Sequence, residues 1–260
     1  MKKWTAGVIF IFSVILLSIS IYFLMGMYLE EKQDNRTYDR ILEIYENPKE
    51  KDDTPKEPEE TGEVEVNAGL LALHEENPDC IGWITIEGTV IDYPVMYRPQ
   101  EKNYYLKRDF YGDYSANGCL FIDEDCVPVT CDNLIIYGHH MNSGKMFAAL
   151  DSYKSEEFYH EHPRILYSTL HGDETYQVIA AFATPVYTGK DFAYYSFVKA
   201  ENEAEYDSFV RVCLERSFYD TGDMAVYGEK LLTLSTCEYS QKNGRMVVLA
   251  KKVMEGGEDR

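Results

Sequence analysis

The N-terminal apolar segment constrains this chain more than any other feature of its sequence. Residues 4–29 contain no Lys, Arg, Asp or Glu. Because a helix rises about 1.5 Å per residue and roughly 20 apolar residues cross a bilayer, this segment is long enough to span a membrane. A cleaved signal peptide would have a shorter apolar core and a small-x-small cleavage site, and the segment has neither. The sequence therefore predicts an uncleaved transmembrane anchor, with the buried helix of a soluble protein as the alternative.

The charges that flank this segment predict its orientation. Residues 1–3, Met-Lys-Lys, are basic, whereas acidic residues follow from Glu30 onward. Since basic residues are retained on the cytoplasmic side, the N-terminus is expected in the cytoplasm. We therefore predict a single-pass protein of the cell membrane, in which everything after residue 29 is extracellular.

Residues 30–66 differ in composition from the rest of the chain. They are densely charged, contain three prolines, and show only a weak helical stripe over residues 34–45. Such a segment cannot bury a core, so it is predicted to be a solvated stalk that precedes a folded domain spanning residues 67–260. The whole chain has 45 Asp and Glu against 25 Lys and Arg, a formal net charge of −20. This charge argues against nucleic acid as a partner, because it repels phosphate backbones.

From residue 67 onward the pattern is that of a β-rich domain. Asn67 is predicted to cap a short helix that ends at Asn77, and helical periodicity is clear over residues 201–218 and weaker over residues 145–153. Eight runs rich in Ile, Val, Tyr, Phe or Thr are predicted to be strands: residues 83–87, 89–96, 118–123, 133–139, 164–170, 174–187, 230–237 and 245–253. Many strands with few helices between them favour an antiparallel barrel or sandwich over alternating βα units.

The six cysteines have neither the spacing of a disulfide framework nor that of a zinc site. Cys213 lies on the apolar face of the predicted 201–218 helix, where an unpaired buried cysteine is expected. Cys126 and Cys131 are near enough in sequence that a bridge between them stays open. Cys237 is distinguished from the others by its neighbours.

Cys237 ends the first strand of a predicted hairpin, whose strands are joined by a polar loop. Symmetric closure of this loop predicts three opposed pairs: Cys237 with Arg245, Ser235 with Val247, and Thr233 with Leu249. Opposed side chains share a face, with Cβ atoms about 5 Å apart. A permanent cation would then lie beside the thiol, where it would favour a thiolate and stabilise a developing oxyanion.

A thiol nucleophile also needs a proton acceptor, and residues 133–140 supply a candidate. This run, NLIIYGHH, ends a third apolar strand with His139 and His140. Adjacent residues on a strand point to opposite faces, so both histidines cannot face Cys237 if the strand continues through them. On spacing alone, an incidental surface hairpin explains the pattern about as well as an active site does.

The same segments resemble the signature of a known family. Residues 233–237, TLSTC, followed by Arg245 at the start of a Val-rich strand, resemble the sortase signature, and residues 136–140, IYGHH, resemble the family's strand that ends in Gly-His. Residues 77–83, 201–218 and 247–253 are similar to class B sortases. The resemblance covers about residues 67–254. It implies the eight-stranded sortase β-barrel, with a short N-terminal helix and a long helix before the cysteine strand.

The resemblance also implies the roles of individual residues. It implies that Cys237 is the nucleophile, His139 the general acid/base and Arg245 the stabiliser of the oxyanion. Since His139 directly follows the glycine of the motif, His140 is expected to line the next loop or the surface. The backbone N–H of Glu238 is a candidate oxyanion donor, and its side chain is expected to have no role.

Four further residues are expected to contact the sorting peptide: Ser235, Asn103, Tyr194 and Tyr195. The match at Asn103 is loose. For the aromatic cluster of Phe192, Tyr194 and Tyr195, ordinary core packing is an equal alternative.

The implied activity is that of a membrane-anchored cysteine transpeptidase of Gram-positive bacteria. It would cleave surface proteins that carry a C-terminal sorting signal through a thioacyl intermediate, and an amine of a peptidoglycan precursor would resolve this intermediate. The resemblance implies no metal and no organic cofactor. Two alternatives stay open on the same barrel: a thiol hydrolase that uses water as the acceptor, and a non-catalytic binding domain of the cell surface.

Overall fold

The computed structural model describes residues 2–48, 67–186, 192–240 and 242–253. Its internal contacts divide the chain into two compact units, Met1–Leu42 and Glu43–Arg260. Helix α1, Lys2–Glu46, forms the first unit up to Leu42. Its last turn, residues 43–46, belongs to the second unit. Among the described residues, α1 is the one helix long and apolar enough to cross a bilayer, and its side chains from Val8 to Leu29 are exposed.

Helix α1 continues past the predicted end of the anchor at residue 29. The weak helical stripe over residues 34–45 therefore belongs to the same helix, which ends at Glu46. Most of the rest of the predicted stalk, residues 49–66, lies outside the described residues. The boundaries predicted after residues 3, 29 and 66 stay predictions.

The second unit is built on a closed β-barrel of eight strands. The strands are β1 (Cys80–Thr85), β2 (Asp92–Met96), β3 (Leu120–Ile122), β4 (Asn133–Tyr137), β5 (Arg164–Thr169), β6 (Gly172–Pro185), β7 (Leu231–Glu238) and β8 (Gly244–Lys252). Their order around the barrel is β1-β2-β3-β4-β7-β8-β6-β5. Each strand overlaps one of the eight predicted runs, which confirms the predicted barrel.

The predicted barrel is antiparallel except at two strand pairs, which differ from the predicted pattern. Strands β2 and β3 are parallel, and so are β4 and β7. Parallel neighbours need a crossover connection, and the chain between β4 and β7 supplies one with β5, β6 and the long helix. The parallel β4–β7 pair matters for function, because the carboxyl ends of both strands lie at one edge of the barrel.

Helices precede β1 and connect several of the strands. They are α2 (Ala68–Glu76), α3 (Glu156–Glu161) and α4 (Glu203–Arg216), together with three 3₁₀ helices at Tyr104–Lys107, Phe147–Lys154 and Tyr194–Ser196. Asn67 caps α2 as predicted, since its side chain accepts a hydrogen bond from the N–H of Leu70 at 3.0 Å. The run predicted as helical at residues 145–153 is 3₁₀ helix, and α3 is too short to show helical periodicity in the sequence.

Helix α4 buries its apolar face against β6 and β8. Its side chains Tyr206, Phe209, Val210 and Cys213 belong to one core cluster with residues of these strands. Leu214 lies half-buried at the edge of the cluster. Phe218, predicted on the same face, is instead 44% exposed, because the helix already ends at Arg216. The helix thus supports the wall of the barrel beside the β7–β8 hairpin.

Candidate active site

The β7–β8 hairpin has the predicted register. Cys237 lies opposite Arg245, Ser235 opposite Val247, and Thr233 opposite Leu249. Cys237 and Arg245 are both half-buried, whereas the strand residues behind them are buried. The thiol and the guanidinium therefore project from the end of the hairpin, at the border between the core and the solvent.

Strand β4 brings the histidine segment to the same edge of the barrel. It pairs in parallel with β7, so that Tyr137 lies beside Ser235. The N–H of Gly138 donates to the carbonyl oxygen of Ser235 at 3.2 Å, and the hydroxyl of Thr236 donates to the carbonyl oxygen of Gly138 at 2.8 Å. These hydrogen bonds continue the pairing one residue beyond β4 and hold the histidines next to the cysteine.

Gly138 meets a packing requirement at the end of β4. A Cβ atom at this position would overlap the side chains of Leu120 and Phe147. Because protein interiors are close-packed, any other residue would force these side chains or the strand end to shift. The glycine of the GHH segment therefore allows the chain to pass close to the core before it presents His139.

The two histidines follow the strand rather than continue it, since β4 ends at Tyr137. The Nε2 atom of His139 lies 2.7 Å from the carbonyl oxygen of Leu106, and His139 lines the cleft that contains Cys237. The Nδ1 atom of His140 instead lies 3.2 Å from the carbonyl oxygen of Cys237. His140 lines a neighbouring pocket together with residues of the loop that follows it. It also contacts the backbone of the cysteine, a contact that the sequence did not predict.

One cleft of about 730 Å³ collects most of the predicted site residues. Its lining includes His139, Cys237, Arg245, Ser235, Asn103, Tyr194 and Tyr195. Asn103 has a left-handed backbone conformation, φ 55°, directly before the 3₁₀ helix Tyr104–Lys107. This turn brings the 103–107 segment to the wall of the cleft on the side of His139. Glu238 is the one predicted site residue that does not line the cleft.

Ser235 and Tyr194 form a hydrogen-bonded pair in the cleft wall. Their hydroxyl oxygens are 2.7 Å apart, and both residues are almost completely buried. Tyr195 is half-buried beside them, with its ring centroid 5.5 Å from that of Tyr194. Phe192 packs against the core cluster next to Phe182, so its contacts are those of ordinary core packing.

The side chain of Glu238 points away from the cleft and is held there by three hydrogen bonds. Its carboxylate accepts from Lys154 Nζ at 2.8 Å, from the N–H of Ser240 at 3.1 Å, and from the hydroxyl of Ser240 at 2.8 Å. Burial alone would raise the pKa of this carboxyl, but the hydrogen bonds from Lys154 and Ser240 outweigh it, and the pKa lies below its usual value. Glu238 is therefore a charged anchor for the residue that follows the nucleophile.

Arg245 contributes a permanent positive charge at the loop end of the β7–β8 hairpin. Its Nη1 atom donates to the carbonyl oxygen of Gly244 at 3.0 Å. The remaining guanidinium donors lie in the plane of the same fork, and the residue lines the cleft together with Cys237. Geometry of this kind can present N–H donors to a negative oxygen formed at the cysteine.

Sequence reasoning missed three residues of the site. Leu106 supplies the carbonyl that contacts His139, and Lys154 pairs with Glu238. Asp123 is a buried acid in the cleft wall that accepts from the hydroxyl of Tyr137 at 2.8 Å, and burial raises the pKa of its carboxyl. No sequence spacing points to these contacts, because each joins residues of two different structural elements.

The cysteines other than Cys237 are buried. None of the six, all of which lie among the described residues, forms a disulfide, including Cys126 and Cys131, for which a bridge was left open. Cys213 is 1% exposed on the buried face of α4, as predicted. Cys237 is the most accessible of the six, which agrees with a reactive rather than a packing role.

Comparisons with known proteins agree with this geometry. Residues 84–253 match the sequence profile of the Sortase domain family. The chain belongs to the sortase family. Sortase B of Staphylococcus aureus is 28% identical over 254 residues, which cover 96% of this chain and 97% of the relative. Sortase B of Listeria monocytogenes is 32% identical over 193 residues, which cover 73% of this chain and 76% of the relative.

The solved structures extend the match to the fold. The structure of the Staphylococcus aureus sortase B–substrate complex superposes with a TM-score of 0.74 at 27% identity, and covers 88% of this chain and 100% of that chain. The resemblance to class B sortases is therefore confirmed at the level of both sequence and fold. This sortase is a cysteine transpeptidase that anchors surface proteins to the cell wall.

Proposed function

We propose that this sortase cleaves the C-terminal sorting signal of surface proteins with Cys237 as nucleophile, His139 as general acid/base and Arg245 as oxyanion stabiliser. The observation that carries the proposal is the shared cleft. His139 follows the end of β4, whereas Cys237 and Arg245 lie directly opposite each other in the β7–β8 hairpin. All three side chains line one cavity.

The first half of the reaction forms a thioacyl enzyme. The thiolate of Cys237 attacks the carbonyl carbon of the threonine in the sorting signal, the new C–S bond forms, and the carbonyl π electrons move to the oxygen. Arg245 and the backbone N–H of Glu238 donate to this oxyanion. When the oxyanion collapses, the C–N bond breaks, and His139 gives its proton to the departing amine.

The second half transfers the surface protein to the cell wall. An amine of a peptidoglycan precursor attacks the thioester carbonyl, His139 takes the proton that the amine loses, and the thiolate of Cys237 leaves. His139 therefore ends the cycle protonated, as it began. The reaction is balanced without an added oxidant, reductant or metal.

The contact between His139 and Leu106 suggests which ring nitrogen transfers the proton. A carbonyl oxygen can only accept a hydrogen bond, so Nε2 of His139 carries a hydrogen at 2.7 Å from Leu106. The Nδ1 atom is then the nitrogen that gains and loses a proton during catalysis. Leu106 would fix the ring orientation in the way that a third group orients the base of a catalytic triad.

The substrate-binding role is proposed for Asn103, Ser235, Tyr194 and Tyr195. Their support is that all four line the cavity that contains Cys237. Because the hydroxyls of Ser235 and Tyr194 are already bonded to each other, we expect the pair to act as one polar surface against the peptide backbone.

The membrane arrangement is also a proposal. Residues 4–29 would cross the membrane of a Gram-positive cell with residues 1–3 in the cytoplasm, and residues 30–66 would separate it from the extracellular catalytic domain at residues 67–260. Its support is the apolar, exposed N-terminal part of α1 and the basic residues that precede it.

The test of the proposed function is a product analysis with full-length protein in detergent. A peptide library with threonine fixed at the cleaved position is incubated with the protein, with and without triglycine, and the products are identified by mass spectrometry. A transpeptidase is expected to give a thioacyl adduct on Cys237 and a triglycine-linked product. Hydrolysed peptide alone, at the same rate with and without triglycine, would establish a thiol hydrolase instead. If no peptide in the library were cleaved, the catalytic proposal would be contradicted.

Arg245→Lys is expected to slow acylation by roughly 10²–10³-fold, the loss typical of removing one oxyanion donor. Lysine keeps the charge but lacks the planar fork of donors. Because the side chain belongs to the cleft rather than the core, the melting temperature should change little. The measurement is single-turnover acylation by rapid quench. Arg164→Lys, an exposed arginine on β5, is the matched control and should keep the wild-type rate. A rate for Arg245→Lys within a few-fold of wild type would remove Arg245 from the oxyanion site.

A further inference from the structure

His140 makes a contact that the reaction as proposed above does not use. Four hydrogen bonds join the segment around His140 to the end of β7. They are Gly138 N–H to Ser235 O at 3.2 Å, Thr236 Oγ1 to Gly138 O at 2.8 Å, His140 Nδ1 to Cys237 O at 3.2 Å, and Tyr239 Oη to His140 O at 3.1 Å. The contact of His140 with Cys237 is the one that involves the nucleophile itself.

The carbonyl of Cys237 belongs to the peptide group that also contains the N–H of Glu238. This peptide is planar and trans, since the described residues contain no cis peptide bond, so its C=O and N–H point in opposite directions. Whatever holds the oxygen of Cys237 on one side therefore sets the direction of the Glu238 N–H on the other. That N–H is the backbone donor of the proposed oxyanion site.

His140 is placed to hold this oxygen. Because a carbonyl oxygen only accepts, Nδ1 of His140 must carry the hydrogen of their contact. The ring is half-buried and packs edge-on against Tyr239, with ring centroids 5.1 Å apart at 71°. The hydroxyl of Tyr239 also bonds to the backbone of His140. The imidazole is thus fixed by its surroundings rather than free to turn towards solvent.

The other end of the same peptide is fixed by Glu238. Its buried carboxylate is bonded to Lys154 and to Ser240. The pairing of Cys237 with Arg245 and of Glu238 with Gly244 restrains the peptide from the β8 side. The hydrogen bond from His140 restrains its carbonyl from the opposite side.

We propose that His140 is a positioning residue, whose Nδ1–H holds the Cys237–Glu238 peptide so that the N–H of Glu238 faces the oxyanion. This inference rests on the proposed function, because it takes Cys237 as the nucleophile. It adds to that function a separate task for each histidine of the GHH segment: His139 transfers protons, and His140 fixes the backbone donor.

The test compares His140→Leu and His140→Asn in the full-length protein in detergent. The amide nitrogen of asparagine lies at nearly the same distance from the backbone as Nδ1 of histidine and can donate in its place, whereas leucine cannot. His140→Leu is expected to lower kcat about five- to tenfold, as for the loss of one hydrogen bond, with KM nearly unchanged. His140→Asn is expected to restore kcat to within about twofold of wild type and to keep the wild-type pH profile.

His171→Leu is the matched control, since His171 is exposed in the β5–β6 turn and should keep wild-type kinetics. Melting temperatures are measured for every variant. If His140→Asn were as slow as His140→Leu, or if His140→Leu kept the wild-type kcat, the positioning role would be wrong. Loss of one limb of the pH profile in His140→Asn would make His140 an acid/base residue and would also overturn the role. The wild-type protein distinguishes a failure of this inference from a failure of the proposed function. If it formed no thioacyl adduct on Cys237, the proposed function would be wrong as well.

Discussion

Cys237→Ala is expected to abolish cleavage of sorting peptides, to below the detection limit, while the protein stays folded. Without the thiol no thioacyl intermediate can form, and Cys237 is the one cysteine among the described residues that line the cleft. The cysteine is half-buried at the end of β7, so its sulfur contributes little to packing and the melting temperature should change by only a few degrees. Cleavage is measured by mass spectrometry of the peptide products.

Cys213→Ala is the matched control, because it removes the same atom from a different environment. Cys213 is 1% exposed on the buried face of α4, so this variant should lose stability and yet keep its cleavage activity at a temperature where it is folded. Cys237→Ala should therefore lose cleavage and keep its stability, whereas Cys213→Ala should keep cleavage and lose stability. Substantial cleavage by a well-folded Cys237→Ala protein would contradict the assignment of the nucleophile.

His139→Ala is expected to reduce the acylation rate by roughly 10²–10⁴-fold, the range of a lost general acid/base group. The variant cannot protonate the departing amine, and among the described residues His139 is the one imidazole that lines the cleft. The measurement is single-turnover acylation over a range of pH, in which the limb due to the histidine should disappear.

His140→Ala serves as the control for this variant, since the two histidines are adjacent in the chain. Its expected loss is about tenfold at most, because it removes one hydrogen bond and no proton transfer. A larger loss for His140→Ala than for His139→Ala would mean that the proton-transfer role belongs to the second histidine. The assignment at the end of β4 would then be wrong by one residue.

The geometry of the hairpin could be predicted from the sequence because local rules determine it. The polar loop between two strand-like runs fixes which residues face each other, and this gave the Cys237–Arg245 pair. The capped helix after Asn67 followed from similarly short-range signals. In each case the interacting residues lie within a few positions of one turn or cap.

The parallel pairs of the barrel could not be predicted in the same way. Strands β4 and β7 are adjacent although two strands, two α-helices and two 3₁₀ helices lie between them in the chain. Which strands meet across such a crossover depends on how the whole sheet closes, and no pattern within one strand records it. The assumption of an antiparallel barrel failed for this reason.

The role of His140 was missed for a related reason. Adjacent side chains point to opposite faces only while the strand continues, and β4 ends at Tyr137. Beyond that point the directions of His139 and His140 are set by the turn and by packing against Tyr239. The Lys154–Glu238 ion pair could not be predicted from the sequence either, because it joins the 3₁₀ helix Phe147–Lys154 to the end of β7.

The parallel pairing of β4 with β7 has a consequence for how the enzyme becomes active. Asn133 pairs with Leu231, residues that are far apart in sequence, and such contacts form late because the intervening chain must first be ordered. The proposed nucleophile, Cys237, and the proposed proton carrier, His139, therefore meet only when the barrel closes. A chain that is still emerging or only partly folded would carry a thiol without its catalytic partners. In this sortase, activity thus requires the completed barrel. Measured activity therefore indicates that the chain has finished folding.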